Sequence, residues 1–199
     1  MSDTTGTLGI VGAGTMGAGI AQMALEAGWE VRLHDAFPGA AEQARERIVD
    51  WLRRRVAKSP SARDAATVRG ASTVHGASSR WVDEHLARLT LASDPVAVAD
   101  GTDLVVEAIV EELGAKRNLF AVLDAAAPPA TILATNTSAL SVTAIAEAAV
   151  THPERVLGLH FFNPAPVLRL VEIVAAARTD PAVLERATAM VTSWGVLEE

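Results

Sequence analysis

Short apolar runs alternate along the chain with stretches whose apolar residues recur every three or four positions. The runs at 7–11, 30–34, 103–106, 131–135, 155–162 and 167–174 have the length and β-branched content of strands. Between them, residues 15–28, 39–58, 112–127, 141–150 and 180–194 carry helical spacing. Met16, Ile20, Met23 and Ala27 share one face of the first helix, and Gly28 stops it. Ile48, Trp51, Leu52 and Val56 share a face of the second. Pro128-Pro129 close the third. Asp180 and Pro181 mark the start of the last, and Gly195 lies beyond its end. Strand and helix in alternation predict an α/β chain with an open, mainly parallel sheet covered by helices on both faces. Residues 59–80 break the rhythm. They are rich in Ser, Ala, Gly and Thr with weak periodicity, and read as an insertion or a mobile arm.

Composition narrows the function. Half of the 199 residues are apolar but only 4% are aromatic, so the core is built from Ala, Val, Leu and Ile. Cysteine is absent, which excludes disulfides, thiolate metal sites and thiol nucleophiles and fits a reducing, cytoplasmic location. No metal site is expected. Lys+Arg 17 against Asp+Glu 24 gives a net charge of −7, which argues against non-specific nucleic-acid binding. No apolar run approaches the roughly 18–20 residues of a membrane span. The opening Met1-Ser2-Asp3-Thr4-Thr5-Gly6 lacks the basic flank and apolar core of a secretory signal.

Two constellations carry chemistry. The first is Gly12-Ala13-Gly14-Thr15-Met16-Gly17, a G-x-G-x-x-G that follows a strand and opens a helix. Gly12 permits a tight turn, Gly14 admits a pyrophosphate to the backbone, and Gly17 lets the helix lie close to the strand. Thr15 and Met16 open the helix whose free N–H groups favour phosphate. The second strand ends at Asp35, eighteen residues after Gly17, where a carboxylate accepts from both adenosine ribose hydroxyls and repels a 2′-phosphate. Ala36-Phe37-Pro38 supply no arginine for such a phosphate, so NAD is favoured over NADP. The fold is thereby of the Rossmann type, doubly wound.

The second constellation is His160, near the end of a strand, and Glu172, inside the apolar run 167–174. At period two Glu172 shares its face with Leu168, Leu170 and Val174, so its charge needs a partner. If His160 is that partner, the carboxylate fixes the imidazole tautomer and stabilises the imidazolium, which suits removal of a hydroxyl proton. Spacing alone favours the commoner arrangement, a lone buried histidine and a separately salt-bridged glutamate. By spacing, Glu111 and Lys116 are an exposed pair at a helix start, five apart and poorly placed for each other. Ser138, with Asn136 and Thr137, is ordinary turn chemistry at a strand end.

At these residues the chain resembles the NAD-binding domain of the L-3-hydroxyacyl-CoA dehydrogenases. The matching segments are residues 12–21, Val105-Val106-Glu107-Ala108-Ile109-Val110-Glu111-Glu112, Ala134-Thr135-Asn136-Thr137-Ser138, and His160-Phe161-Phe162-Asn163-Pro164-Ala165-Pro166 running on to Leu170-Val171-Glu172. The resemblance implies that His160 is the general base for the C3 hydroxyl of a (3S)-3-hydroxyacyl-CoA and that Glu172 orients it. Ser138 matches a hydroxyl that bonds the reacting oxygen. Asn136 matches an amide near the nicotinamide and its ribose, which Glu111 and Lys116 also hold. It further implies one NAD-binding domain over residues 1–195, with a helical insertion at about 53–100 after the second strand. In the family an all-helical domain follows, completing the acyl pocket and a homodimer interface. The 199-residue chain is therefore expected to be the cofactor-binding half of a larger enzyme and a poor catalyst by itself. A hydroxy-acid or sugar-acid dehydrogenase of the same superfamily, or a non-catalytic NAD-binding module, stays open on the sequence.

Overall fold

The computed structural model describes residues 5–58 and 74–198. Eight strands form one sheet among the described residues: β1 (Thr7–Val11), β2 (Glu30–His34), β3 (Leu89–Leu91), β4 (Leu104–Glu107), β5 (Ile132–Thr135), β6 (Val156–Phe161), β7 (Leu170–Ala175) and β8 (Leu197–Glu198). Their order is β3-β2-β1-β4-β5-β6-β7-β8, parallel throughout except for β6–β7. The helices are α1 (Thr15–Glu26), α2 (Ala40–Lys58), α3 (Val74–Leu86), α4 (Pro95–Ala99), α5 (Leu113–Ala126), α6 (Val142–Ala146), α7 (Ala165–Leu168) and α8 (Pro181–Thr192).

Successive residues of a strand point to opposite faces, and both faces here are apolar. On one side Ile10, Leu33, Val106 and Leu159 pack with Ile20 and Met23 of α1, Ile48 and Leu52 of α2, and Val191 of α8. On the other, Val105, Leu133 and Val156 meet Val98 of α4, Phe120 and Leu123 of α5, and Ile145 of α6. This is the doubly wound, Rossmann-type arrangement that the alternation predicts. The chain runs outward from β1 to β3 and then returns to place β4 on the other side of β1. That reversal leaves a crevice between the carboxyl ends of β1 and β4, where open α/β sheets bind ligands.

Two differences from the sequence reading have local causes. No strand was expected between 53 and 100, yet β3 pairs with β2 there and α4 follows. A three-residue strand and a five-residue helix are too short for a periodic signal, and Asp94 capping α4 through Ala97 N–H at 2.8 Å is the cue that remains. The strand read at 167–174 starts only at Leu170. Residues 165–168 coil into α7 behind Pro164, and Arg169 turns the chain with φ of 50°. Of the proposed arm at 59–80, residues 59–73 lie outside the described residues.

Candidate active site

The glycine turn is packed as closely as its motif demands. At Gly12 φ is 106°, and a Cβ would stand 2.4 Å from the Ala108 carbonyl oxygen. At Gly17 a Cβ would reach 1.8 Å from the Gly12 carbonyl oxygen, so α1 can lie on the turn only without a side chain there. Gly14 differs: a Cβ would meet nothing within 4 Å, because the residue faces open space. The first helical bond of α1 runs from Ala18 N–H to Gly14 at 3.0 Å, and no side chain caps the helix. The N–H groups ahead of Ala18 are thus open to an anion. Asp35 accepts from Ala13 N–H at 2.6 Å with one oxygen and from Phe37 N–H at 2.9 Å with the other. Each oxygen keeps a lone pair for a ligand while bracing the turn. A cleft of about 790 Å³ runs here, lined by Gly12, Gly14, Asp35, Phe37, Ile109 and Val110. Thr15 is exposed beside it and Met16 is half-buried against the core. The open cradle at Gly14, the uncapped helix and the Asp35 carboxylate fit a dinucleotide.

At the end of β4, acidic and basic side chains form a largely buried network behind the sheet's carboxyl edge. Glu107 is wholly buried; it accepts from Lys116 Nζ at 2.6 Å, from Ile109 N–H at 2.8 Å and from the Thr135 hydroxyl at 2.7 Å. Lys116 is also wholly buried and reaches Glu111 at 3.2 Å. Glu111 is exposed, as spacing suggested, but Lys116 is not, and the contact between them corrects the unlinked pair read from spacing. One helical turn points Lys116 inward, and the loop between β4 and α5 folds Glu111 back over it. Glu111 in turn accepts from the Thr137 hydroxyl, Ser138 N–H at 2.9 Å and Ala139 N–H at 3.2 Å. Burial opposes its ionisation. The Thr137 and Ser138 bonds and the Lys116 ammonium outweigh that and hold the carboxyl down at about 2.

His160 and Glu172 face each other in the antiparallel β6–β7 register, and Nδ1 of His160 lies 2.6 Å from Glu172 Oε2. The geometry therefore brings together the pair that spacing alone disfavoured. Glu172 is not enclosed by an apolar face, however: its side chain is 43% exposed. Val174 on the same face is also exposed, because the short helix α6 covers that face of β7 only in part. A recess of about 360 Å³ is lined by Thr137, Ser138, His160 and Glu172. Ser138 is exposed there, and its hydroxyl has no partner among the described residues. Asn136 accepts from Phe161 N–H at 2.9 Å, which fixes the amide and leaves its NH₂ to donate.

Against known proteins, the family description "3-hydroxyacyl-CoA dehydrogenase, NAD binding domain" matches residues 7–197. The chain belongs to this family. It is 41% identical over 189 residues to the 3-hydroxyadipyl-CoA dehydrogenase of Escherichia coli, covering 95% of this chain and 36% of that protein. It is 40% identical to the human mitochondrial hydroxyacyl-coenzyme A dehydrogenase, covering 88% of this chain and 52% of that one. The crystal structure of FadB2 from M. tuberculosis superposes with a TM-score of 0.79 at 38% identity, over 96% of this chain and 61% of that one. The chain thus spans about half the length or less of these curated relatives.

As a 3-hydroxyacyl-CoA dehydrogenase NAD-binding domain, the chain is an NAD-binding module of known class. Gly12, Gly14 and Asp35 line one cleft, Gly17 packs under the Gly12 carbonyl and Thr15 lines a neighbouring cleft, while Ser138, His160 and Glu172 line the recess at β6 and β7. Glu111 joins the two networks, and Lys116 acts behind it. Sequence reasoning gave no role to Glu107, whose signal was a carboxylate closing the apolar run Leu104-Val105-Val106. It also passed over Thr137, a plain turn residue, and Arg47. Among the described residues no helix is long and apolar enough to cross a membrane, and no three His, Asp or Glu side chains are grouped to hold a metal.

Proposed function

We propose that this domain serves the NAD-dependent oxidation of a (3S)-3-hydroxyacyl-CoA to the 3-oxoacyl-CoA, with His160 as general base. The supporting observation is the 2.6 Å contact of His160 Nδ1 with Glu172, set in the recess that Ser138 lines. With Nδ1–H donating to the carboxylate, the lone pair sits on Nε2. That nitrogen takes the C3 hydroxyl proton, and Glu172 stabilises the imidazolium that forms. The Ser138 hydroxyl donates to the same substrate oxygen as charge builds on it. NAD, when bound, supplies the hydride acceptor. Gly14, Thr15 and Met16 offer it their backbone N–H groups, Asp35 its carboxylate and Asn136 its amide, while Glu111, held from behind by the buried Lys116, sets the rim beside it. In the reverse direction protonated His160 returns the proton. Acyl-CoA is the proposed substrate. Homodimer formation and a cytoplasmic site of action are proposed for the longer chain.

The test separates binding from chemistry. NADH binding is titrated by fluorescence on the 199-residue chain, and turnover is then followed with acetoacetyl-CoA in the full-length parent. The His160→Gln variant is expected to bind NADH like the parent and to lose about 10²–10⁴ of the turnover, the usual share of a positioned acid–base group. Equal turnover by parent and variant overturns the assignment.

A further inference from the structure

Arg47 on α2 has no part in the glycine motif, the acid that follows β2, or the His160 recess. It nonetheless reaches the turn. Its Nη2 donates to the Ala13 carbonyl at 2.7 Å, while Ala13 N–H is held by Asp35 on the opposite side. The middle residue of Gly12-Ala13-Gly14 is therefore gripped through both of its peptide groups. The buried stripe Ala44, Ile48, Leu52 and Val56 anchors α2 in the core, and Arg47, next to Ile48, is left exposed and directed at the turn. Arg47 lines the 790 Å³ cleft and also a second cleft of about 280 Å³ that holds Thr15 and Trp51.

Bracing a carbonyl takes one N–H and no charge. A guanidinium carries five N–H groups in a planar fork. Beyond Ala13, Arg47 meets no acceptor among the described residues, and it forms no ion pair there although Glu42, Glu46 and Asp50 share its helix. A full positive charge thus stands unspent beside Gly14, where the backbone opens, and beside Thr15, where α1 begins uncapped. In a fold of this type that is where a pyrophosphate lies.

We propose that Arg47 is a pyrophosphate-binding residue, adding a charge-assisted contact from α2 to the N–H groups of the glycine turn. This rests on the NAD-binding class of the domain. It makes part of the affinity for the dinucleotide electrostatic, sensitive to salt and specific to ligands that carry phosphate. Among the described residues Arg47 and the turn together enclose that position from two sides, which the motif alone does from one.

Calorimetric titration of the 199-residue chain with NADH, ADP-ribose and adenosine tests this at two salt concentrations. Arg47→Met is expected to weaken NADH and ADP-ribose about ten-fold, the loss of one charge-assisted bond, and to flatten the salt dependence. Adenosine, which lacks phosphate, is expected to bind as before. Arg47→Lys is expected to keep the salt dependence and most of the affinity. A loss shared by adenosine, or one insensitive to salt, makes Arg47 a brace of the turn only and overturns the proposal. So does unchanged NADH affinity. Failure of the unmutated chain to bind NADH removes the NAD-binding reading itself, and this inference with it.

Discussion

Two side-chain pairs stand at carboxyl ends of the same sheet with the same 2.6 Å separation, and they do opposite things. In Lys116–Glu107 both side chains are 0% exposed; in His160–Glu172 the exposures are 19% and 43%. Strand position makes the difference. β4 lies between β1 and β5 under helices on both faces, whereas β6 and β7 pair antiparallel toward an edge that α6 covers only in part. A closed pair has no access to a substrate and acts only through what it touches: Glu111, and through it the Ser138 loop. An open pair keeps one nitrogen free to exchange a proton. Equal geometry therefore does not mean equal role; access to the recess decides.

Removing one partner from each pair sharpens this contrast. Lys116→Met leaves Glu107 buried without its cation, a change that typically costs about 3–5 kcal/mol. For a domain of this size that is a fall in Tm of roughly 10 °C. Glu172→Gln breaks a half-exposed pair and is expected to cost at most about 1 kcal/mol while depressing turnover. Calorimetric melting reads both. If Glu172→Gln melts as low as Lys116→Met, the dyad is holding the fold rather than waiting for substrate, and the contrast fails.

The sequence made the glycine turn legible because its chemistry is local: Gly12, Gly14, Gly17 and Asp35 sit within one strand–helix–strand unit. His160 and Glu172 were visible as residues but not as a pair. Their pairing depends on an antiparallel register across the loop at 162–169, and α7 inside that loop shifts where β7 begins. The Lys116 network was misread for a related reason. Spacing on one helix reports neighbours along that helix, whereas Lys116 is met by Glu107 from a strand, and Thr135 on the adjacent strand holds Glu107 in place. Arg47 escaped because nothing along the chain joins α2 to Ala13; the contact exists only once α2 packs on α1.

Acid separates two further carboxylates, with smaller effects. Glu111, held at about 2 against an ordinary value of 4.5, adds stability that is complete above pH 4.5 and is lost as pH falls toward 2. Glu26 behaves in the opposite sense. Its burial at the end of α1 outweighs Arg55 and Arg169, the latter 2.8 Å away, and raises its carboxyl above 4.5. The folded state therefore binds that proton more tightly than the unfolded chain does. The cost of keeping Glu26 charged is relieved as pH falls through its raised value toward 4.5. In melting curves taken from pH 6 to pH 3, Glu111→Gln is expected to flatten the loss of Tm below pH 4.5. Glu26→Gln is expected to steepen the loss just above that pH, by removing a group whose protonation favours the fold. Matching slopes for the two variants would mean that neither the Ser138 loop nor the end of α1 sets the acid response. The contrast between bonded and merely buried carboxylates would then go with it.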